Sequence, residues 1–299
     1  MSITLVAVVI ALVLGHVAPS TVNALRRYDW YGRWLRWLGG DAIAGRSGFW
    51  RGRFGIALAL LPPLLAAGLL QWWLDKPWIG LPGLLFDILV LVYAWGPRDL
   101  DVDVEAVMDS HDAASRNAAI ANLWPQGESV RSDGPALVEA VFGSALKRWF
   151  GVLLWFLLLG PFGALLYRLV ECASAGEFSA TLPEGNRAGV RGLCALLEWL
   201  VAQLMTLGMA LVGNFDVVRQ AWRGAGGDRM NLDSGFLGAA ARASVRSELA
   251  EEAEEYAEEG MVQVLRELPE LRDAMSLVWR ILLLWLAVLA VFVIGGWVN

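Results

Sequence analysis

The chain of 299 residues has the length of one large or two medium soluble domains, but its composition excludes a water-soluble core. Apolar residues make up 57%, charged residues 18%, the mean hydropathy is +0.51 and there are 16 tryptophans, more apolar surface than a fold of this size could hide from water. With 2 cysteines and 11 prolines it is neither disulfide-stapled nor disordered, and a net charge of −6 argues against nucleic acid as a partner. The expected class is all-α, a polytopic membrane protein with about six transmembrane helices and helical cytoplasmic segments.

A bilayer core of roughly 30 Å requires about 20 helical residues. Residues 1–17, 54–74, 79–95, 150–167, 193–213 and 281–298 meet that need. No Lys or Arg precedes the first, and His16-Val17-Ala18-Pro19 is a poor cleavage site, so it reads as a retained anchor rather than a signal peptide. Only Asp75, Lys76, Pro77 and Trp78 separate the second and third, which predicts an antiparallel helical hairpin with Trp72, Trp73 and Trp78 at one interface. Residues 18–53, 96–149 and 214–280 hold 7, 5 and 8 Lys or Arg, leaving Lys76, Arg168, Arg187 and Arg191 for the opposite side. The positive-inside rule then places those three segments in the cytoplasm and both termini in the periplasm, across a bacterial inner membrane.

The first segment contains RRYDWYGRWLRW, Arg26 to Trp37, in which arginines alternate with tyrosines and tryptophans. It reads as an interfacial helix with snorkelling arginines; the competing reading is a basic-aromatic surface for single-stranded nucleic acid or an anionic ligand, against which stands the acidic balance of the whole chain. The second segment packs Asp99, Asp101, Asp103, Glu105, Asp109, His111 and Asp112 into 14 residues. Oxygen ligands at that density are candidates for Mg²⁺ with a phosphate-bearing substrate, although an EF-hand's Gly and terminal Glu are missing; the alternative is the solvated face of a membrane-proximal helix. In the third, seven glutamates from Glu248 to Glu259 run beside Leu249, Ala253, Tyr256, Ala257, Val264, Leu265 and Leu268 at helical spacing. This predicts an amphipathic helix ended by Pro269.

No phosphate loop, HExxH, GxSxG or zinc-spaced cysteine pair occurs, and the histidines are His16 and His111. Within the spans the unusual residues are Asp87, Glu198 and Gln203, candidates for a proton relay or substrate contact, or for interhelical hydrogen bonds. Pro62-Pro63 and Gly160-Pro161 with Gly163 interrupt the second and fourth spans, as in many transporters, though plain kinks are also tolerated. Cys172 and Cys194 flank the connection between the fourth and fifth spans, where either a disulfide or two thiols fits; residues 171–191 are either a simple outer loop or a fold-back between helices.

GPRDLDVDVEAV (Gly96 to Val107), VEAVFGSALKRWFGVLLWFLLLGPFGALLYRL (Val138 to Leu169), LEWLVAQL (Leu197 to Leu204) and LVGNF (Leu211 to Phe215) follow one another along the chain. With the terminal apolar span, this order resembles the AmpE family of inner-membrane proteins associated with β-lactamase induction. That family in turn looks like a relative of the CobD/CbiB ligases, which join an aminopropanol-type amine to a corrinoid carboxylate using ATP. The resemblance implies a signalling or regulatory role linked to peptidoglycan recycling and the AmpD amidase pathway, with cell-wall recycling components or a small-molecule ligand as partners. It marks Glu139 and Arg168 as ligand candidates beside Asp87, Glu198 and Gln203. Ligase chemistry would need carboxylates for Mg²⁺-ATP. Val138 and Glu139 persist, but Gly143, Ser144 and Lys147, then Glu171 and Ser174, then Cys194 and Ala195 stand where the ligases carry other polar and acidic groups. The expected function is therefore non-enzymatic, with no cofactor, and the alternatives are a degenerate Mg²⁺-dependent ligase and a small-molecule transporter.

Overall fold

The computed structural model describes residues 2–17, 26–40, 48–74, 80–96, 98–124, 129–258 and 268–295. Among them every regular element is helical. In chain order these are α1 (Ser2–Val17), α2 (Asp29–Gly39), α3 (Gly48–Arg51), α4 (Ile56–Leu74), α5 (Gly80–Ala94), α6 (Leu100–Met108), α7 (Ala113–Leu123), α8 (Gly134–Ala145), α9 (Gly151–Leu159), α10 (Pro161–Ser174), α11 (Gly176–Ala180), α12 (Glu184–Val212), α13 (Phe215–Gly224), α14 (Gly235–Glu258) and α15 (Pro269–Ile294). A π-helical turn, Leu146–Phe150, joins α8 to α9.

Helices Ile56–Leu74, Gly134–Leu159, Glu184–Val212 and Pro269–Ile294 are long and apolar enough to cross a membrane, with shorter apolar stretches at Leu5–Leu14 and Leu81–Ala94. The last long helix reaches a mean hydropathy of 2.7, and Leu283, Val288, Val291 and Ile294 are exposed on it. Such a surface is stable only against lipid or another apolar partner. The chain is an all-α membrane protein. The loop predicted at Asp75 to Trp78 and residues 296–298 of the sixth span lie outside the described residues.

The chain divides into two compact units. The first comprises residues 1–97, 147–197 and 290–299. Here α1 lies on α5, α4 on α5, and α10 on both α4 and α5. Its buried interior is built from Tyr31, Leu35, Trp50, Leu91, Phe150, Phe156, Tyr167 and Val190.

The fourth predicted span, 150–167, is corrected by this unit. At Gly160 the backbone takes φ 66°, ψ −153°, a conformation open only to glycine, and Pro161 opens a new helix at its first position. The chain therefore reverses, and α9 packs on α10 as a helical hairpin. A methyl on Gly151 would overlap the Tyr167 ring, and one on Gly163 the Trp155 carbonyl, so small residues set the close approach. Gln71 of α4 pins the turn, its amide donating to the Leu159 carbonyl (3.3 Å) and accepting from Phe162 N–H (3.1 Å). Arg168 thus returns to the level of Lys147, whose carbonyl it touches, although the span count put these residues on opposite sides.

Residues 171–191 are likewise not a simple outer loop. They hold the end of α10, α11 and the start of α12. Phe178 packs edge-on against Tyr31, and Gly189 is pressed onto the Arg53 carbonyl so closely that no side chain would fit. Both contacts join them to the segment read as cytoplasmic. Cys172 and Cys194 are not joined in a disulfide.

The second unit comprises residues 98–146 and 198–289. Helix α8 packs on α14, α14 on α13, and α6 and α7 on each other and on α8. The apolar faces Leu137/Val138/Val141/Phe142 and Phe236/Leu237/Ala240/Ala241 are buried here. Spaced three and four apart, such residues form one stripe of a helix. The glutamate-rich segment is helical as far as Glu258; Glu259, Val264 and Leu265 lie outside the described residues. Where that helix ends lies outside the described residues, and Pro269 stands at the start of the next one. Pro269 occupies the first turn of α15, where its missing N–H costs no hydrogen bond.

Candidate functional site

Each predicted site residue now has a place. In the first unit, α5 ends at Ala94 with carbonyls facing inward, and buried carbonyls need donors. Three side chains supply them. Arg26 donates to Val92 (3.2 Å) and Gly96 (2.7 Å), the Tyr28 hydroxyl to Tyr93 (2.6 Å), and Arg168 Nε to Ala94 (2.6 Å). Arg168 is 1% exposed and also binds Glu171 (3.0 Å) and the Lys147 carbonyl (3.3 Å). Lys147 lies in the π turn, and the carbonyl of the next residue, Arg148, accepts from Gly96 N–H at 3.3 Å. Two guanidiniums at a helix C-terminus also meet the negative end of its dipole. Burial raises the Tyr28 hydroxyl's pKa, so it stays a donor. These hydrogen bonds of Arg168 all run to groups of the chain around the end of α5 and the π turn. Asp87 is half-buried on α5 and already has an interaction partner.

The acidic segment opens the second unit, and its carboxylates are spread over different tasks. Asp101 accepts from Trp279 Nε1 (3.0 Å), buried Asp103 from Arg98 Nε (2.9 Å), and Asp112 caps α7 by accepting Ser115 N–H (2.7 Å). That last bond holds the Asp112 carboxyl below the ordinary carboxylate range. Asp99 and Asp109 flank α6 as its two cap residues, and His111 is exposed. Among the described residues no three His, Cys, Asp or Glu side chains converge as metal ligands. Glu198 is buried on α12 with a partner of its own. Gln203 accepts from Trp222 Nε1 (2.9 Å) and donates to the Gly227 carbonyl (2.8 Å), tying down the turn after α13.

Glu139 is different. It projects from α8 toward α14 at Gly238, where a methyl would come within 3.0 Å of its Cγ. One turn further along α14, Arg242 binds Oε1, and Arg131, from the loop before α8, binds Oε2 at 2.5 Å. Arg131 lies 5.3 Å above the Trp124 ring, whose Nε1 donates to the Arg131 carbonyl (3.2 Å). Two arginines thus share one carboxylate, leaving one net positive charge on partly exposed, preorganised guanidiniums with most of their N–H donors unused. Chemically this is a seat for a carboxylate or phosphate.

Sequence reading found Glu139 and missed its arginines, because Arg131 and Arg242 stand 8 residues before and 103 residues after it. It also missed a second polar spot. Arg280 binds Glu248 at 2.5 Å, beside fully buried Ser244. Ser244 Oγ, Glu248 Oε1 and Arg280 Nε are buried without hydrogen-bond partners.

Comparison with known proteins finds a likeness to the "Cobalamin biosynthesis protein CobD" of Stutzerimonas stutzeri (strain A1501). The two are 28% identical over 193 residues, an alignment covering 61% of each chain. The chain thus spans about three fifths of that relative's length. No protein-family model matches, and no solved structure does.

Proposed function

We propose that this chain is a CobD/CbiB-related protein of the bacterial inner membrane that acts in the AmpE manner, as a signalling or regulatory component of β-lactamase induction and peptidoglycan recycling, rather than as a ligase. An anionic ligand seated on Arg131 and Arg242 is its input. The observation that carries this reading is the arginine pair on Glu139. A carboxylate serving Mg²⁺ must face the ion with its lone pairs free, whereas both oxygens of Glu139 are taken by guanidiniums. The site therefore favours an anion over a cation.

The test is a deletion strain challenged with a β-lactam inducer. β-Lactamase induction changes on deletion and returns with the plasmid-borne wild type. It fails to return with the Arg131→Gln/Arg242→Gln double variant and returns with Arg219→Gln, which alters an exposed arginine outside the pair. Induction that is identical in all strains contradicts the reading. A second reading, ligase activity of the CobD/CbiB kind, is favoured by the likeness to CobD; it requires restored cobalamin-dependent growth in a ligase-deficient strain.

A further inference from the structure

In the first unit, Trp30, Arg33, Trp34, Trp37, Pro62 and Pro63 line an open groove of about 520 Å³ between α2 and α4. That is within the range of small-ligand sites. Its origin is local. Pro62 and Pro63 have no N–H, so the carbonyls of Leu58 and Ala59 lose their helical partners four residues on. Trp34 Nε1 restores one by donating to Ala59 at 3.1 Å, which fixes α2 across the break.

The aromatic wall is held in place independently of any ligand. Trp30 Nε1 donates to the Tyr93 hydroxyl (2.6 Å), Trp34 is held by Ala59, and Trp37 stacks on Trp34 with ring centroids 5.0 Å apart. At the rim stands Arg33. It is exposed, and no hydrogen bond or ion pair to another described residue engages its guanidinium, whereas Arg36 donates to Gly32 and Arg27 pairs with Asp29. Pro62 lies about 9 Å along the apolar helix α4 from its first residue, Ile56, near one end of a helix long enough to cross a bilayer.

We propose that this groove is a binding site for an anionic phospholipid, with the phosphate on Arg33 and an acyl chain along Trp34, Trp37 and the Pro62-Pro63 break. A zwitterionic lipid would bring its own cation to Arg33 and gain less. A peptide would find few polar groups to pair with its backbone.

The test uses the full chain, purified in detergent, exposed to mixed phosphatidylglycerol and phosphatidylcholine, and weighed by native mass spectrometry. Wild type retains phosphatidylglycerol in preference to phosphatidylcholine. Arg33→Gln lowers that retention about fivefold, the equivalent of about 1 kcal/mol for one interfacial arginine. Arg33→Lys preserves the preference, showing that the loss is one of charge and not of folding, and Arg219→Gln leaves it unchanged. Equal retention of both lipids by wild type overturns the proposal, as does equal loss in Arg33→Gln and Arg219→Gln. Stabilisation of the wild type by inorganic phosphate to the same degree as by phosphatidylglycerol also overturns it, because the site would then read the anion alone.

Discussion

Arg168 shows how a conspicuous residue can be structural. A guanidinium beside a transmembrane stretch invites a functional role, yet its hydrogen bonds go to the Ala94 and Lys147 carbonyls and to Glu171, all within the fold. Removing it strands buried acceptors, so Arg168→Gln destabilises the protein by about 3 kcal/mol or more, read as a lower midpoint of thermal unfolding in detergent. Asp112 offers a gentler case. Its pKa is depressed by the Ser115 N–H bond, so its stabilising effect is complete above the ordinary carboxylate range and disappears as pH falls through the depressed value. Corrected for the intrinsic pH dependence of exchange, the protection factor of the Ser115 amide falls in acid, and Asp112→Asn, which caps at every pH, removes that fall. Gln203 was conspicuous by residue type and Glu139 through the resemblance. What each binds depends on segments distant in sequence, beyond the reach of spacing arguments.

Helices themselves were legible because apolar runs and their period are written locally; their ends and reversals were less so. Pro269 reads equally as a stop or a start, and only its neighbours decide that it opens α15. Gly160-Pro161 was noticed as an interruption, but whether a glycine-proline pair kinks a helix or reverses it depends on a partner for the freed groups. Gln71 is that partner, 88 residues from Leu159. Gly160→Ala forces a side chain into a glycine-only conformation and against Gln71, at a cost of about 1–3 kcal/mol. Gln71→Leu leaves the Leu159 carbonyl and Phe162 N–H without their partner, costing about 1–3 kcal/mol. Chemical denaturation of the detergent-solubilised variants measures both.

At the scale of the whole molecule, composition alone sufficed for the membrane class, while sidedness depended on the number of crossings. The α9–α10 hairpin is accompanied by contacts of Phe178 with Tyr31 and of Gly189 with the Arg53 carbonyl, so single cysteines at Arg53 and Glu177, in a background lacking Cys172 and Cys194, react with an impermeant maleimide from the same face of the membrane. Labelling from opposite faces would contradict the hairpin. Function was legible only as a resemblance. Read along the chain, the acidic segment is a candidate metal site; in the fold Asp103, Asp101 and Asp112 bind Arg98, Trp279 and the α7 N-terminus, and the arginine pair on Glu139 emerges only in three dimensions. Growth of a cobalamin-ligase-deficient strain, with membrane expression of this chain verified by immunoblot, tests the account most directly. The account predicts no restoration of cobalamin-dependent growth; restored growth would contradict it.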